Sequence, residues 1–217
     1  KDDFKLGSKF ANKVWNASRY ILMDLEGREL VAEPALNDAD LWIRARLRSA
    51  ASQIREALAS YRFNDAAGAA YEYFWNDFCD WYVEATKLST RSDSDAEKDR
   101  AVTVLLGVLE ESLALLHPFL PFVTEEIAEQ FGAAPLLRRE HARADDALRA
   151  PEDERVIGEL QAAVDALRRF RAETGVPPGK VLEAVFVADR AGAERPYAPY
   201  AGAFRALART SVSFDGA

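Results

Sequence analysis

The chain has 217 residues, of which 49% are hydrophobic and 29% are charged, a composition typical of a water-soluble globular protein with one domain or slightly more. No stretch contains the roughly 18 consecutive apolar residues that a membrane-spanning helix needs, and no secretory signal opens the chain, so a cytoplasmic location without membrane contact is expected. With 28 Lys and Arg against 36 Asp and Glu, the net charge of −8 argues against broad, sequence-independent binding of nucleic acid but is compatible with a local basic face. Because the chain begins at Lys1 within a helical pattern, it is expected to be a piece of a longer polypeptide.

Hydrophobic periodicity predicts two long helices at the start of the chain. The first ends at the stop signal Gly27, and its apolar half includes Trp15, which is therefore assigned to the core. Its opposite half holds Lys5, Lys9, Asn12, Lys13, Asn16, Arg19, Tyr20 and Met23. After a loop with Pro34, the second helix begins at an N-cap that is either Asn37 or Asp38, and its predicted core stripe extends to the tyrosine at position 61.

Three further helices are predicted before residue 132. The third begins at an Asn64 N-cap and is unusually rich in aromatic residues. Its predicted core stripe is Phe63, Ala67, Ala70, Phe74, Phe78, Trp81 and Ala85, with Tyr73, Asn76, Asp80, Glu84 and Lys87 on the opposite side. The fourth is an apolar run ended by Pro118, and the fifth is a short helix opened by Pro121 and Thr124. Helices of this length joined by short loops predict an antiparallel bundle.

The remaining residues have a different character. Residues 133–150 show no periodic pattern and are predicted to form an irregular connection. A sixth helix ending at Gly175 comes next, followed by a strand, a short helix and a second strand. The sequence thus predicts a mainly α fold, with an antiparallel helical bundle over residues 1–132 and a helix with a small α/β appendage over residues 151–217.

Motifs of common catalytic and metal sites are absent from the sequence. It contains no glycine-rich phosphate loop, no HExxH and no CxxC spacing, and its two histidines, His117 and His141, are too far apart to suggest a metal cluster. Cys79 lies among aromatic residues and is predicted to be a buried, inert thiol. No catalytic residue, metal or cofactor is therefore expected, and the function is predicted to be binding or positioning.

Three stretches, in this order, resemble the anticodon-binding helical domain of class I aminoacyl-tRNA synthetases: "KFANKVWNASRYIL", "YRFNDAAGAAYEYFWNDFCDWYVEATK" and "LLHPFLPFVTEEI". Methionyl, leucyl and isoleucyl enzymes share the third stretch, whereas the first two point to the valyl branch. The later stretch "LRRFRAETGVPPGKV" is also similar to that branch. Two departures are Ala128, where the family usually has Trp, and residues 133–150, which carry no family motif.

The resemblance implies a part of a valine-tRNA ligase that binds the anticodon loop of valine tRNA. The family's HIGH and KMSKS motifs are missing from this chain, so ATP-dependent attachment of valine would occur in a catalytic domain of the same polypeptide, with ATP bound there and no cofactor here. A monomer is expected. The alternatives are an anticodon-binding domain of the isoleucyl or leucyl type and a structural or protein-docking bundle that binds no RNA, which the net charge of −8 favours.

The polar half of the first helix carries the side chains that RNA recognition requires, because unstacked bases are held on aromatic planes and read along their edges. Tyr20 is predicted to be displayed for stacking, which is worth about 1–3 kcal/mol per base, while Asn12 and Asn16 can hydrogen-bond to base edges and the basic residues can neutralise phosphates. The resemblance places the family's anticodon contacts on this helix and at the end of "DWYVE". The candidate residues are Lys9, Asn12, Lys13, Asn16, Arg19, Tyr20, Val83 and Glu84. Without the resemblance, Tyr20 would be interpreted as a packing residue and the charged residues as solvated surface.

Overall fold

The computed structural model describes residues 2–138, 151–177, 179–188 and 201–216. They form two compact units, one within residues 1–149 and the other within residues 150–217. Within the described ranges, none of the helices combines the length and the apolar character that crossing a membrane would require.

The first unit is helical. Its elements are α1 (Asp2–Leu25), α2 (Asp38–Ala59), α3 (Phe63–Glu72), the π-helix π1 (Tyr73–Val83), α4 (Glu84–Thr90), α5 (Asp95–Leu116), α6 (Pro121–Gln130) and a 3-10 turn at Leu136–Arg138. The predicted mainly helical fold is confirmed. Residues 139–150, the rest of the predicted irregular connection, lie outside the described residues.

Local signals explain where the first helices begin and end. Gly27 follows α1 with a φ of 74°, a conformation that glycine adopts without steric cost. At the start of α2, the Asp40 amide donates to Asn37 Oδ1 at 2.9 Å and the Asn37 amide donates to Asp40 Oδ2 at 3.0 Å, so the predicted N-cap forms a reciprocal capping box. The predicted Asn64 cap is wrong, because α3 begins at Phe63, so that Asn64 lies within the helix, and the N-cap, Arg62, makes no capping bond through its side chain.

Helix α3 continues without a break through π1 into α4, and π1 changes which residues face the core. A π-helix fits more residues into each turn than an α-helix, so both Phe74 and Tyr73 turn inward. Tyr73, predicted on the exposed side, is buried, and its Oη lies 2.9 Å from Ser112 Oγ, within hydrogen-bonding distance. Phe63, predicted in the core stripe, is 60% exposed. The wrong placement of Tyr73 follows from the assumption of 3.6 residues per turn along the whole segment, whereas Phe63 is the first residue of α3 and lies before π1.

Cross-helix pairs give the helix directions. Arg46 and Asp40 of α2 contact the later Asp77 and Tyr82 of π1 in reverse order, so α2 and π1 are antiparallel. Asp40 is buried and receives hydrogen bonds from Tyr82 Oη and from Arg100 Nη1 of α5, both at 2.6 Å. One carboxylate therefore joins the start of α2, π1 and α5.

Two further predictions about burial and one about a helix start differ in the structure. Trp15 is half-buried instead of lying in the core. Tyr61, predicted on the apolar stripe of α2, is 81% exposed. Thr124 lies buried within α6, which starts at Pro121, and donates to the Leu120 carbonyl at 2.9 Å. Cys79 is buried as predicted.

The second unit contains α7 (Pro151–Thr174), β1 (Leu182–Ala188), α8 (Ala201–Ala208) and β2 (Thr210–Gly216). The two strands are parallel, with Leu182 opposite Thr210, and α8 lies between them in the sequence as predicted. Buried residues of α7 and α8 form the core of this unit: Val156, Ile157, Leu160, Val164, Phe204 and Leu207.

Candidate functional site

Helix α1 and the continuous segment α3–π1–α4 lie side by side and run in the same direction. Early in α1, the ring centroid of Phe10 is 5.0 Å from that of Tyr71. Near the end of α1, Tyr20 lies beside Lys87 of α4. Six side chains along this contact, Lys13, Tyr20, Trp75, Asp80, Glu84 and Lys87, are called the paired surface below.

Lys13 has two partners on π1. Its Nζ donates to Asp80 Oδ1 at 2.7 Å and lies 5.1 Å from the centroid of a Trp75 ring. The Trp75 ring in turn stacks on Tyr71, with centroids 5.2 Å apart and an interplanar angle of 25°. At a partly exposed position the ion pair is worth about 0–1 kcal/mol and the cation–π contact about 0.5–1 kcal/mol. They hold Lys13 at the surface without fixing it strongly.

Tyr20 is neither a core residue nor a freely displayed one. Its side chain is half-buried, and the Nζ of Lys87 lies 5.1 Å from the ring centroid. Lys87 also donates to a Glu84 carboxylate oxygen. Burial, followed by the negative charge of Asp24, raises the pKa of the Tyr20 hydroxyl, so this hydroxyl stays protonated at neutral pH. One face of the predicted stacking ring is thus covered by a lysine.

Four other predicted residues form a separate stripe along α1. Lys9, Asn12, Asn16 and Arg19 are all exposed. Their spacing of three, four and three residues places them on one side of the helix. This stripe offers two positive charges and two amide groups to the same approaching partner.

The two candidates from the third predicted helix have different positions. Val83 is buried, 5% exposed, because π1 turns it toward the core. Its side chain packs inside the bundle and, in this conformation, does not reach a partner at the surface. Glu84 is partly exposed and is engaged by Lys87.

Sequence reasoning missed Trp75 as a member of the paired surface and missed the contact of Lys87 with the Tyr20 ring. Trp75 and Lys87 contact residues of α1 that are more than sixty positions away in the chain. The dense aromatic composition of residues 71–82 was the available signal. The pairing itself depends on the phase that π1 imposes.

Metal ligation and acid–base chemistry have little support in the described part of the chain. It contains no group of three or more His, Cys, Asp or Glu side chains that could hold a metal ion. His117 Nδ1 lies 2.9 Å from Thr124 Oγ1 and 3.8 Å from Glu125 Oε2. It links the end of α5 to α6, in line with the structural role that its position before Pro118 suggests.

Residues 40–186 match a family described as the anticodon-binding domain of tRNA ligase. The chain belongs to this family. The matched range includes π1, α4 and α5. Helix α1, which carries six of the candidate residues, precedes it, and longer alignments extend beyond the matched range.

Those longer alignments are with curated valine–tRNA ligases. The chain is 48% identical over 202 residues to the enzyme of Treponema pallidum, an alignment that covers 83% of this chain and 21% of the relative. It is 49% identical over 193 residues to the enzyme of Treponema denticola, an alignment that covers 82% of this chain and 21% of the relative. Its 34% identity to the enzyme of Borreliella burgdorferi extends over 214 residues, 98% of this chain and 24% of the relative. This anticodon-binding domain thus spans about a fifth to a quarter of the length of these relatives.

Proposed function

We propose that this domain recognises the anticodon loop of valine tRNA as one part of a valine–tRNA ligase. The observation that carries the proposal is the packing of α1 beside π1–α4, which gathers two lysines, two aromatic rings and two carboxylates on the paired surface next to the exposed stripe of α1. Family membership and the valine–tRNA ligase relatives support the RNA partner.

Recognition would combine stacking with hydrogen bonding. A loop base stacks on Tyr20 after Lys87 has left the ring, and Lys87 then neutralises a nearby phosphate. Glu84, released from Lys87, accepts a hydrogen bond from the exocyclic amino group of an adenine or cytosine, since a carboxylate is an acceptor only. Asn12 and Asn16 contact base edges, and Lys9 and Arg19 contact the backbone.

The domain itself would position the tRNA, while ATP-dependent activation of valine and its transfer to the tRNA take place in a catalytic domain of the same polypeptide. On this proposal the domain needs no cofactor of its own and acts in the cytoplasm as part of a monomeric enzyme.

A structural or protein-docking bundle is the second candidate function. The net charge of −8 favours it, as does the pairing of both lysines of the paired surface with carboxylates of the same unit. It predicts no preference for any RNA loop.

Binding of an anticodon stem-loop of valine tRNA, followed by fluorescence anisotropy at low salt, separates the two functions. We expect Tyr20→Ala to weaken binding about 5- to 150-fold, the equivalent of about 1–3 kcal/mol of lost stacking. Tyr20→Phe keeps the ring and should bind like the wild type.

Met23→Ala is the matched control, because Met23 is 64% exposed on the same half of α1 and has no proposed role. A stem-loop with the same stem and an altered anticodon should bind less well. Equal binding of both stem-loops, unaffected by Tyr20→Ala, would contradict the proposal and favour the docking bundle.

A further inference from the structure

Two polar side chains lie one turn beyond the contact between Tyr20 and Lys87. Asp24 follows Tyr20 by four residues on α1. Thr90 follows Lys87 by three residues and ends α4. These spacings keep each side chain on the side of its helix that carries the contact. Because the two helices run in the same direction, Asp24 and Thr90 face each other at one end of the paired surface.

The pKa of the Tyr20 hydroxyl supports this placement. Burial raises this pKa most, the negative charge of Asp24 raises it further, and Thr90 lowers it. Both side chains therefore lie close to the Tyr20 hydroxyl, at the edge of the ring to which the proposed function assigns the stacking of a base.

The Thr90 hydroxyl differs from the hydroxyls of the other threonines in the described helices. Each of those donates to the carbonyl four residues earlier, at distances from 2.6 to 2.9 Å: Thr86, Thr103, Thr124 and Thr174. This bond is a common one for a threonine inside a helix. Thr90 Oγ1 is buried and, although it lies close to Tyr20, it is not in hydrogen-bonding geometry with any group of the described residues.

Asp24 presents an unused acceptor beside this hydroxyl. Its Oδ2 is buried and likewise has no hydrogen-bond partner in the part of the chain that the structure describes. A buried polar atom without a partner destabilises a fold, so such atoms are rare and need an explanation. A structural role would require a partner inside the fold. A ligand that supplies a partner to both atoms explains why they lie together.

The chemistry of the two groups selects an alcohol as this ligand. A carboxylate only accepts hydrogen bonds, whereas a threonine hydroxyl can donate one. A group held between Asp24 and Thr90 therefore donates to the first and accepts from the second. A hydroxyl does both, whereas the amino group of a base is a donor. The alcohol along an RNA strand is the ribose 2′-hydroxyl, which DNA lacks.

We propose that Asp24 and Thr90 bind the 2′-hydroxyl of the nucleotide whose base stacks on Tyr20, and that they thereby select RNA over DNA. The 2′-hydroxyl donates to Asp24 Oδ2 and accepts from Thr90 Oγ1. Stacking requires Lys87 to leave the ring, and on this proposal its departure also opens the way to the two buried oxygens. The inference rests on the proposed function, because it concerns the sugar of a nucleotide that the same surface holds.

The test uses the full chain and two anticodon stem-loops of valine tRNA, one with ribose throughout and one with 2′-deoxyribose in the loop only. Fluorescence anisotropy at low salt gives the ratio of their two affinities for each protein variant. We expect the wild-type ratio to exceed that of the double variant Asp24→Ala/Thr90→Val by about 3- to 10-fold, the effect of losing the hydrogen bonds to one hydroxyl. Each single variant should give an intermediate ratio. The ratio that remains in the double variant measures how deoxyribose changes the loop itself.

Two variants serve as controls and should keep the wild-type ratio. Thr174→Val removes a threonine hydroxyl from the second unit, and Asp93→Asn removes an exposed negative charge after α4. If the double variant weakens both stem-loops equally, the proposal is overturned, because a purely structural role of Asp24 and Thr90 would act on both ligands alike. The proposed function would fail differently, since binding of the ribose stem-loop would then be unaffected by Tyr20→Ala and by an altered anticodon.

Discussion

The ammonium group of Lys87 lies 5.1 Å from the centre of the Tyr20 ring, and Lys13 has the same relation to Trp75 at the same distance. Each lysine also forms an ion pair with a carboxylate, Lys13 with Asp80 and Lys87 with Glu84. Without RNA, the charged and aromatic groups of the paired surface therefore satisfy one another. An RNA loop has to exchange these weak contacts for its own.

Replacing Lys87 tests this exchange. If Lys87 moves from Tyr20 to a phosphate of the RNA, Lys87→Gln should reduce the salt slope of stem-loop binding by about 0.7, the value for one phosphate contact on a single strand. The measurement is the binding constant of the anticodon stem-loop across a range of salt concentrations. Lys98→Gln on α5, where the lysine pairs with Asp95, is the control and should leave the slope unchanged. An unchanged slope for Lys87→Gln would show that Lys87 stays on the ring.

Asp80→Asn should tighten stem-loop binding at low salt by about 2- to 5-fold, because it frees the charge of Lys13 for phosphates and an exposed ion pair is worth only about 0–1 kcal/mol. The free energy of unfolding should change by less than about 1 kcal/mol for the same reason. Asp93→Asn, an exposed change of the same charge, serves as the comparison. Weaker binding by Asp80→Asn would instead mean that Asp80 itself accepts a hydrogen bond from the RNA.

Arg100→Met should lower the free energy of unfolding by about 3–5 kcal/mol, measured by urea denaturation. The Asp40 carboxylate is buried, and breaking a buried pair on one side leaves a charge without compensation. The matched change Arg28→Met removes a surface arginine that contacts Asp95 and Asp99 at 3.4 and 3.6 Å, and it should cost less than about 1 kcal/mol. Similar losses for both variants would show that Asp40 does not depend on Arg100.

Stability should fall at alkaline pH, in part through Cys79. Burial raises the pKa of its thiol from 9.0 to about 12, so the unfolded chain loses this proton first. The contribution of the thiol is complete below pH 9.0 and is lost progressively between pH 9.0 and about 12, at up to about 1.4 kcal/mol per pH unit. Burial also raises the pKa of Tyr73 and Tyr82, which adds to the decline above pH 10.

Urea denaturation of Cys79→Ala from neutral pH to pH 10 checks this effect. The variant should show a shallower fall above pH 9.0, the ordinary pKa of the thiol, than the wild type. Tyr61→Phe, at a tyrosine that is 81% exposed, should leave the profile unchanged. A wild-type slope retained in Cys79→Ala would mean that the thiol ionises equally well in the folded chain.

Local chemistry was enough to predict much of the fold. Gly27 and the Asn37 cap define helix ends through interactions within a few residues. Alternating apolar residues predicted the two strands of the second unit with a helix between them, and the structure adds that the strands are parallel. The burial of Tyr73 and the pairing of Lys87 with Tyr20 could not be predicted in this way. Both depend on how many residues each turn of π1 contains. A pattern calculated with the 3.6 residues per turn of an α-helix therefore assigns residues of this segment to the wrong face.

The same reasoning applies to the site. The exposed stripe of α1 was predicted from the periodicity of one helix, and Lys9, Asn12, Asn16 and Arg19 are indeed exposed. The contact of Lys87 with the Tyr20 ring could not be predicted from one helix, because Lys87 lies on a second helix, 67 residues further along the chain. Their roles in RNA binding stay predictions.

The eleven residues of π1 also make the paired surface sensitive to chain length. Each residue turns the chain by about 100° in an α-helix and by less in a π-helix, so a change in the number of residues or in the winding of π1 would rotate everything after it. Glu84 and Lys87 would then leave α1, although no residue of the paired surface had been substituted. Length variants in this segment should therefore alter RNA selectivity more readily than point substitutions on its exposed side.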